Sequence, residues 1–159
     1  MGTIYIGIDP GKRGAVAVLV ENENGKTFLT ALFDRDSVPL IDLAEWIIAW
    51  GRQPGTVAAI EQVHSMPGQG VASTFKFGQN YGEWLGMLAA ARLEPVLVRP
   101  QEWRKAMGLK PEKDKQKRKA ASRVLAGRLF PGRRPMFKRV RDTDRAEAAL
   151  IAAYARWHA

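Results

Sequence analysis

The sequence predicts an α/β domain: a mixed five-stranded central sheet, built from an antiparallel three-stranded meander and two further strands, with helices on its flanks. Three observations predict it. The first third of the chain holds three short apolar runs joined by Pro-Gly and Asn-Gly turns, the pattern of a meander. Beyond it, helical periodicity alternates with short apolar runs. The 159 residues show no internal repeat and no domain boundary, so the prediction is a single domain over 1–159.

Residues 3–9 read as a strand with Ile4, Ile6 and Ile8 on one face and Tyr5, Gly7 and Asp9 on the other, broken by Pro10-Gly11. Residues 15–20 are an apolar run of strand length. Asn24-Gly25 then suits a tight hairpin turn, and 27–33 return. Residues 39–50 have helical spacing, with Leu40, Leu43, Ile47 and Trp50 sharing a face. Residues 56–60 form a short strand of buried type ending at Glu61, and 65–70 form a loop holding Pro67, Gly68 and Gly70. A long helix is expected over 73–92 with Ser73 as its N-cap, then a short strand over 95–98. Residues 100–107 suit a short helix with Pro in its first turn. Residues 112–130 suit a basic helix whose apolar side is Ala121, Val124, Leu125, Leu129 and Phe130. Residues 131–141, with two prolines and five bases, read as a mobile loop, and 144–157 as the last helix.

The net charge is +9, and its placement matters more than its size. Residues 99–141 hold 16 of the 25 Lys and Arg but only three acids, Glu102, Glu112 and Asp114. Such a cationic block on a mildly acidic body favours a polyanionic partner over a merely solvated face. Lys105, Lys113, Lys115, Lys117, Arg118, Lys138, Arg139 and Arg141 are its candidate DNA contacts. The chain has no cysteine, which excludes disulfides, thiolate metal sites and a cysteine nucleophile, and suits a reducing cytosol. It shows neither a signal-peptide pattern nor an apolar run of membrane-spanning length, so the expectation is a cytoplasmic protein without a membrane partner.

Four acids at three places in the chain carry candidate chemistry. Asp9 ends an apolar strand, where a carboxylate is costly unless paired or metal-bound. An Asx turn explains it equally well. Glu61 ends a second apolar strand; it could share an ion with Asp9 on an adjacent strand or pair with a base. Asp144 and Glu147 stand three apart on one helix face, but Asp-x-x-Glu at a helix start is also a capping pattern, with Asp144 as N-cap. Asp142 is a nearby competitor that points elsewhere. Four such acids are what two-metal phosphodiester hydrolysis requires, and their hard oxygens suit Mg²⁺ or Mn²⁺.

The motifs Ile-Gly-Ile-Asp-Pro-Gly around Asp9, Ile-Glu-Gln-Val around Glu61 and Asp-Arg-Ala-Glu-Ala-Ala-Leu-Ile from Asp144 occur in the order and rough spacing of the RuvC family of Holliday junction resolvases. Phe77-Gly78-Gln79-Asn80-Tyr81-Gly82 is also similar to that family's segment at the start of its long helix. The resemblance spans essentially the whole chain. It implies a ribonuclease-H-like fold, a homodimer, two Mg²⁺ ions per subunit with Mn²⁺ substituting, and symmetric nicking of four-way DNA junctions. It makes Asp9, Glu61, Asp144 and Glu147 the metal ligands and catalytic residues. It leaves any branch-migration helicase partner unidentified. The sequence departs from the bacterial pattern at Glu147, where Asp is usual, and at His64, where a stacking Phe is usual; its basic segment around Lys113–Lys119 is also denser. These departures suit a divergent bacterial or phage form.

His64 is a candidate to stack on an unpaired base, to donate a proton to the leaving oxygen or to contact the scissile phosphate, against the plain reading of a solvated loop histidine. Gly78, Gly82 and Gly86 form a four-residue ridge for close helix approach, either at a dimer interface or on the protein's own sheet. Of Trp46, Trp50, Trp84, Trp103 and Trp157, most are expected in core or dimer packing. Other readings remain open: a transposase core, an RNA:DNA hybrid nuclease, or a DNA-binding module without catalysis. Asp9-Pro-Gly with Gly14 is also similar to the phosphate loop of sugar-kinase-like ATPases, but that fold needs two such domains, and this chain is too short.

Overall fold

A computed structural model of the chain describes residues 2–64, 68 and 70–158. Along the chain run β1 (Thr3–Asp9), β2 (Ala15–Glu21), β3 (Thr27–Asp34), α1 (Leu40–Gly51), β4 (Val57–Glu61), α2 (Val71–Ala90), β5 (Val96–Val98), α3 (Pro100–Ala106), α4 (Lys115–Leu129) and α5 (Thr143–His158). Short 3₁₀ turns occupy Arg35–Ser37, Pro131–Phe137 and Val140–Asp142. The sheet order is β3-β2-β1-β4-β5. β1, β2 and β3 pair antiparallel, whereas β4 pairs parallel to β1 and β5 parallel to β4. This is the predicted mixed five-stranded sheet.

The period-two alternation of β1 sorts its side chains into two cores. Ile4, Ile6 and Ile8 pack with Leu43 and Ile47 of α1 and with Trp84 and Leu88 of α2. Tyr5 faces the other side, where Trp103, Ala126 and the alanine-rich flank of α5 lie. Small side chains on α5 bring its backbone onto the sheet, and Gly7 completes the approach, because a Cβ there would sit 2.2 Å from the Ala148 carbonyl oxygen. No helix among the described residues is long and apolar enough to cross a membrane.

Several expectations are corrected. α2 begins at Val71 with Gly70 before it, so Ser73 lies inside the helix and does not cap it. Most of the predicted loop over 65–70 lies outside the described residues. α4 starts at Lys115, later than predicted, because Asp114 caps it by accepting from the Lys117 backbone N–H at 2.8 Å. Its buried stripe is Ser122, Ala126 and Gly127, whereas Val124 and Leu129 are exposed. Leu40 of α1, assigned to the buried face, is exposed as well. Residues 131–141 are not a free loop: Phe137 is buried, and the Arg133 guanidinium donates to the carbonyls of Leu29 and Thr30. Of the five tryptophans, Trp84 and Trp103 are fully buried, Trp46 and Trp50 are partly buried against the α1–α2 core, and Trp157 is exposed.

Candidate active site

The register of β1 and β4 pairs Ile8 with Ile60, so the next residues, Asp9 and Glu61, end adjacent parallel strands side by side. The C-terminal edge of a parallel pair is where open α/β sheets place ligand sites. Asp9 is only 4% exposed, and its Oδ1 accepts from the Gly11 backbone N–H at 2.9 Å. Asp144 lies in the first turn of α5, and its Oδ2 accepts from the Gly14 N–H at 3.3 Å. Gly11 sits between the two aspartates: a Cβ there would lie 3.1 Å from Asp9 Oδ1 and 3.4 Å from Asp144 Oδ2. Asn80 of α2 secures this turn by donating to the Lys12 carbonyl at 3.3 Å.

The two glutamates are held from the other side. Glu61 Oε2 accepts from the Trp103 indole N–H at 2.6 Å. Glu147 Oε1 accepts from Ser122 Oγ at 2.9 Å and from Arg104 Nη1 at 3.1 Å. The capping reading of Asp144 and Glu147 is therefore replaced. Thr143 precedes Asp144 in the helix and bonds back to the Val140 carbonyl, and Glu147 accepts from α3 and α4. Asp142, the competing acid, is fully buried in ion pairs with Arg139 and Arg145. Burial alone would raise its carboxyl, but the Arg139 backbone N–H and the two guanidiniums hold it below the usual range.

Crowding of the acids shows in their protonation. Burial pushes Asp9 well above an ordinary carboxyl, the charges of Glu147, Asp144 and Glu61 push it further, and the Gly11 N–H only partly opposes them. Glu61 is pushed up to about 7, first by burial, with Glu147 and Asp144 adding to it against the Trp103 hydrogen bond and the Arg104 charge. Such repulsion is costly without a cation. In each of the four carboxylates one oxygen is tied to a protein donor, while the second takes no hydrogen bond from the described residues. The uncommitted oxygens form an all-oxygen donor set of the kind that suits hard divalent ions. Among the described residues no three of these acids are spaced to enclose one ion as they stand.

The other expected residues distribute around this centre. His64 is exposed and lines a cleft of about 690 Å³ together with Glu61, Phe77, Gln101 and Lys105. Lys105 also borders a second cleft with Arg104, Lys110 and Arg118. Arg118 is half-buried and donates to the Glu112 carbonyl. Lys113, Lys115 and Lys117 are exposed at the start of α4. Lys138 and Arg141 are exposed beyond α4, and Lys138 lies in a separate groove with Arg123, Arg128 and Arg134. Arg139 is tied to Asp142, which restricts it as a free phosphate ligand. Sequence reading missed Trp103, Arg104 and Ser122 as partners of the acids. The usable signal was Trp103 itself, since a buried indole N–H normally needs an acceptor.

No family model matches the chain. Over 90 residues it is 33% identical to the chloroplastic Holliday junction resolvase MOC1 of Chlamydomonas reinhardtii, a stretch that covers 57% of this chain and 10% of that protein. Among solved structures, Thermus thermophilus RuvC in complex with a Holliday junction substrate matches with a TM-score of 0.60 at 18% identity, over 98% of this chain and 96% of that one. Another Thermus thermophilus RuvC structure matches with a TM-score of 0.56 at 19% identity, over 97% and 96%. The fold is thus the ribonuclease-H-like fold of RuvC.

Proposed function

We propose that this chain is a metal-dependent endonuclease that nicks four-way DNA junctions symmetrically as a homodimer. The observation that carries the reading is the gathering of Asp9, Glu61, Asp144 and Glu147 at one end of the sheet, each with one oxygen tied and the other bonded to none of the described residues. The RuvC-like fold and the match to a plastid Holliday junction resolvase support the choice of substrate.

In this reading the four acids hold two Mg²⁺ ions per subunit, with Mn²⁺ serving in their place. The ions supply an activated water and charge neutralisation at the leaving oxygen. The chain's own residues do the rest. Lys105 flanks the cleft beside Glu61, where its ammonium meets an approaching phosphate. Lys113, Lys115, Lys117 and Arg118 extend the positive surface along α4, and Lys138 and Arg141 extend it beyond. His64, exposed and lining the same cleft, would stack on a base splayed from the junction. Two nicks at symmetric positions need two sites related by a two-fold axis, and the exposed glycine ridge of α2 is the surface for that contact.

The deciding experiment offers the protein a synthetic four-way junction, the matching linear duplex and an RNA:DNA hybrid, with and without Mg²⁺. Paired nicks in the junction alone, only with Mg²⁺, are expected. Preference for the hybrid or for linear duplex would point to another nuclease of this fold, and binding without cleavage would point to a non-catalytic module.

A further inference from the structure

We propose that Trp103 and Arg104, neighbours on α3, are positioning residues for the metal site: each ties one oxygen of a glutamate and so fixes which oxygen is left for an ion. The inference rests on the metal-dependent reading given above.

Trp103 is fully buried in the core formed with α5, so packing fixes where its indole points. Its N–H donates to Glu61 Oε2 at 2.6 Å, and an indole N–H cannot accept in return. Glu61 is therefore anchored to the hydrophobic core through one oxygen. Arg104 is the next residue, and the turn of the helix aims it at another element. Its Nη1 donates to Glu147 Oε1 and to Ser122 Oγ, its Nη2 donates to the Arg118 carbonyl, and the guanidinium lies 5.1 Å from the Trp103 ring centre. A planar fork held at this many points has little freedom to rotate. α3 is itself braced by Pro100 in its first turn and by the Arg99–Glu102 capping pair. One short helix thus sets a ligand on β4 and a ligand on α5. Arg104 also brings a resident positive charge to the acids while leaving their second oxygens open.

Partners that orient ligands in this way govern metal affinity, typically by about 10- to 100-fold. The test measures Mn²⁺ binding to the DNA-free protein by electron paramagnetic resonance, and the Mg²⁺ concentration for half-maximal junction cleavage. Trp103→Phe keeps a ring and removes the donor. Benzothienylalanine placed at position 103 keeps the full shape with sulfur in place of N–H, and it decides the matter if the Phe variant does not fold. Arg104→Gln removes the charged fork, and Arg104→Lys keeps the charge without it. The expected result is Mn²⁺ binding weakened about 10- to 100-fold in the Trp103 variants and Arg104→Gln, with partial recovery in Arg104→Lys. Folded variants that bind Mn²⁺ like the parent would overturn the proposal, as would tighter binding by Arg104→Gln, which would make Arg104 a competitor of the ion. Parent protein that binds Mn²⁺ but leaves junctions intact would sink the junction reading while the variant affinities still judge the positioning role. Parent protein that binds no Mn²⁺ would overturn both.

Discussion

Gly7 of β1 lies directly under Ala152 of α5, so close that a Cβ on Gly7 would stand 2.2 Å from the Ala152 amide nitrogen and 2.7 Å from its Cα. This approach sets the spacing between the sheet and the helix that carries Asp144 and Glu147, and Asp9 is only two residues along the strand. Backbone cannot rotate away as a flexible side chain can. Gly7→Ala should therefore destabilise the protein by roughly 3 kcal/mol and cut cleavage further than the smaller folded fraction explains. Urea denaturation together with junction cleavage checks this. Unchanged stability would mean that α5 backs off the sheet freely.

Neutralising the acids should separate stability from activity. Asp9→Asn, Glu61→Gln, Asp144→Asn and Glu147→Gln should each abolish cleavage while junction binding, which rests on the basic surface, survives. Their effects on stability should differ in sign. Asp9 is buried among three like charges, so Asp9→Asn should raise the melting temperature of the metal-free protein at alkaline pH. Glu147→Gln should lower stability by roughly 3 kcal/mol, because Arg104 and Glu147 are only 12% and 15% exposed and the guanidinium is left without its ionic partner. Calorimetry of the four variants without metal tests the ordering. Full cleavage by any of them would remove that residue from the metal site.

How legible was this centre in the sequence? The alternation of β1 and the apolar runs of β2, β3 and β4 marked the sheet, because a pleated strand repeats every two residues and can be read locally. The adjacency of Asp9 and Glu61 depends on β1 pairing parallel with β4, a long-range event; the sequence showed only that both acids end apolar strands. The spacing of Asp144 and Glu147 was visible, but not that Thr143 and Val140 would close the helix start and free both acids from capping. The basic segment over 131–141 misled, because its order comes from Phe137 entering the core and from Arg133 reaching carbonyls on β3, neither of which leaves a periodic trace. Trp103 looked like ordinary core, and its indole N–H acquires a purpose only when Glu61 is placed beside it.

Proton linkage gives the metal-free protein an unusual pH response. Glu61 moves from its usual 4.5 to about 7 in the folded state, and Asp9 is raised as well. Between these values the folded protein holds protons that the unfolded chain has released. Stability without metal should therefore fall as pH rises through that window, and be fully present only below it. Divalent ions compete with the same protons, so the Mg²⁺ concentration for half-maximal cleavage should fall as pH rises from roughly 6 to 8. Melting curves with and without Mg²⁺ across this range provide the check. A metal-free protein that gains stability with rising pH would contradict the environment described for Glu61.

The positive surface makes a quantitative claim about salt. Removing the neutralisation of one phosphate should flatten the dependence of log K on log salt by about 0.9 on duplex arms. Lys113, Lys115 and Lys117 are exposed at the start of α4, so changing all three to Gln should weaken junction binding and reduce the slope. Arg139→Gln should change the slope little and instead lower stability, because that side chain is paired with buried Asp142. Titrations at several salt concentrations distinguish the two. An unchanged slope in the triple variant would turn that end of α4 away from DNA.

The glycine ridge of α2 is exposed along the helix. Gly78, Gly82 and Gly86 do not pack on the protein's own sheet: a Cβ at any of the three would meet none of the described residues within 4 Å. Within the monomer these glycines only weaken the helix, by up to about 1 kcal/mol each relative to Ala. Beside the ridge, Leu40 and Ile41 of α1 are exposed and line a groove with Gly86 and Met87. A second copy of the chain that lays its own α2 along this ridge would use both features. Gly82→Glu should then raise the stability of the monomer slightly, since Glu is the better helix former, and abolish the dimer by placing a charge at the interface. Sedimentation of the parent should give a dimer and that of Gly82→Glu a monomer. The variant should bind junctions more weakly and no longer nick in pairs, although every acid of its active site is intact. A parent that stays monomeric even on junction DNA would contradict the two-fold mechanism, and a Gly82→Glu protein that remains dimeric would move the interface elsewhere on the surface.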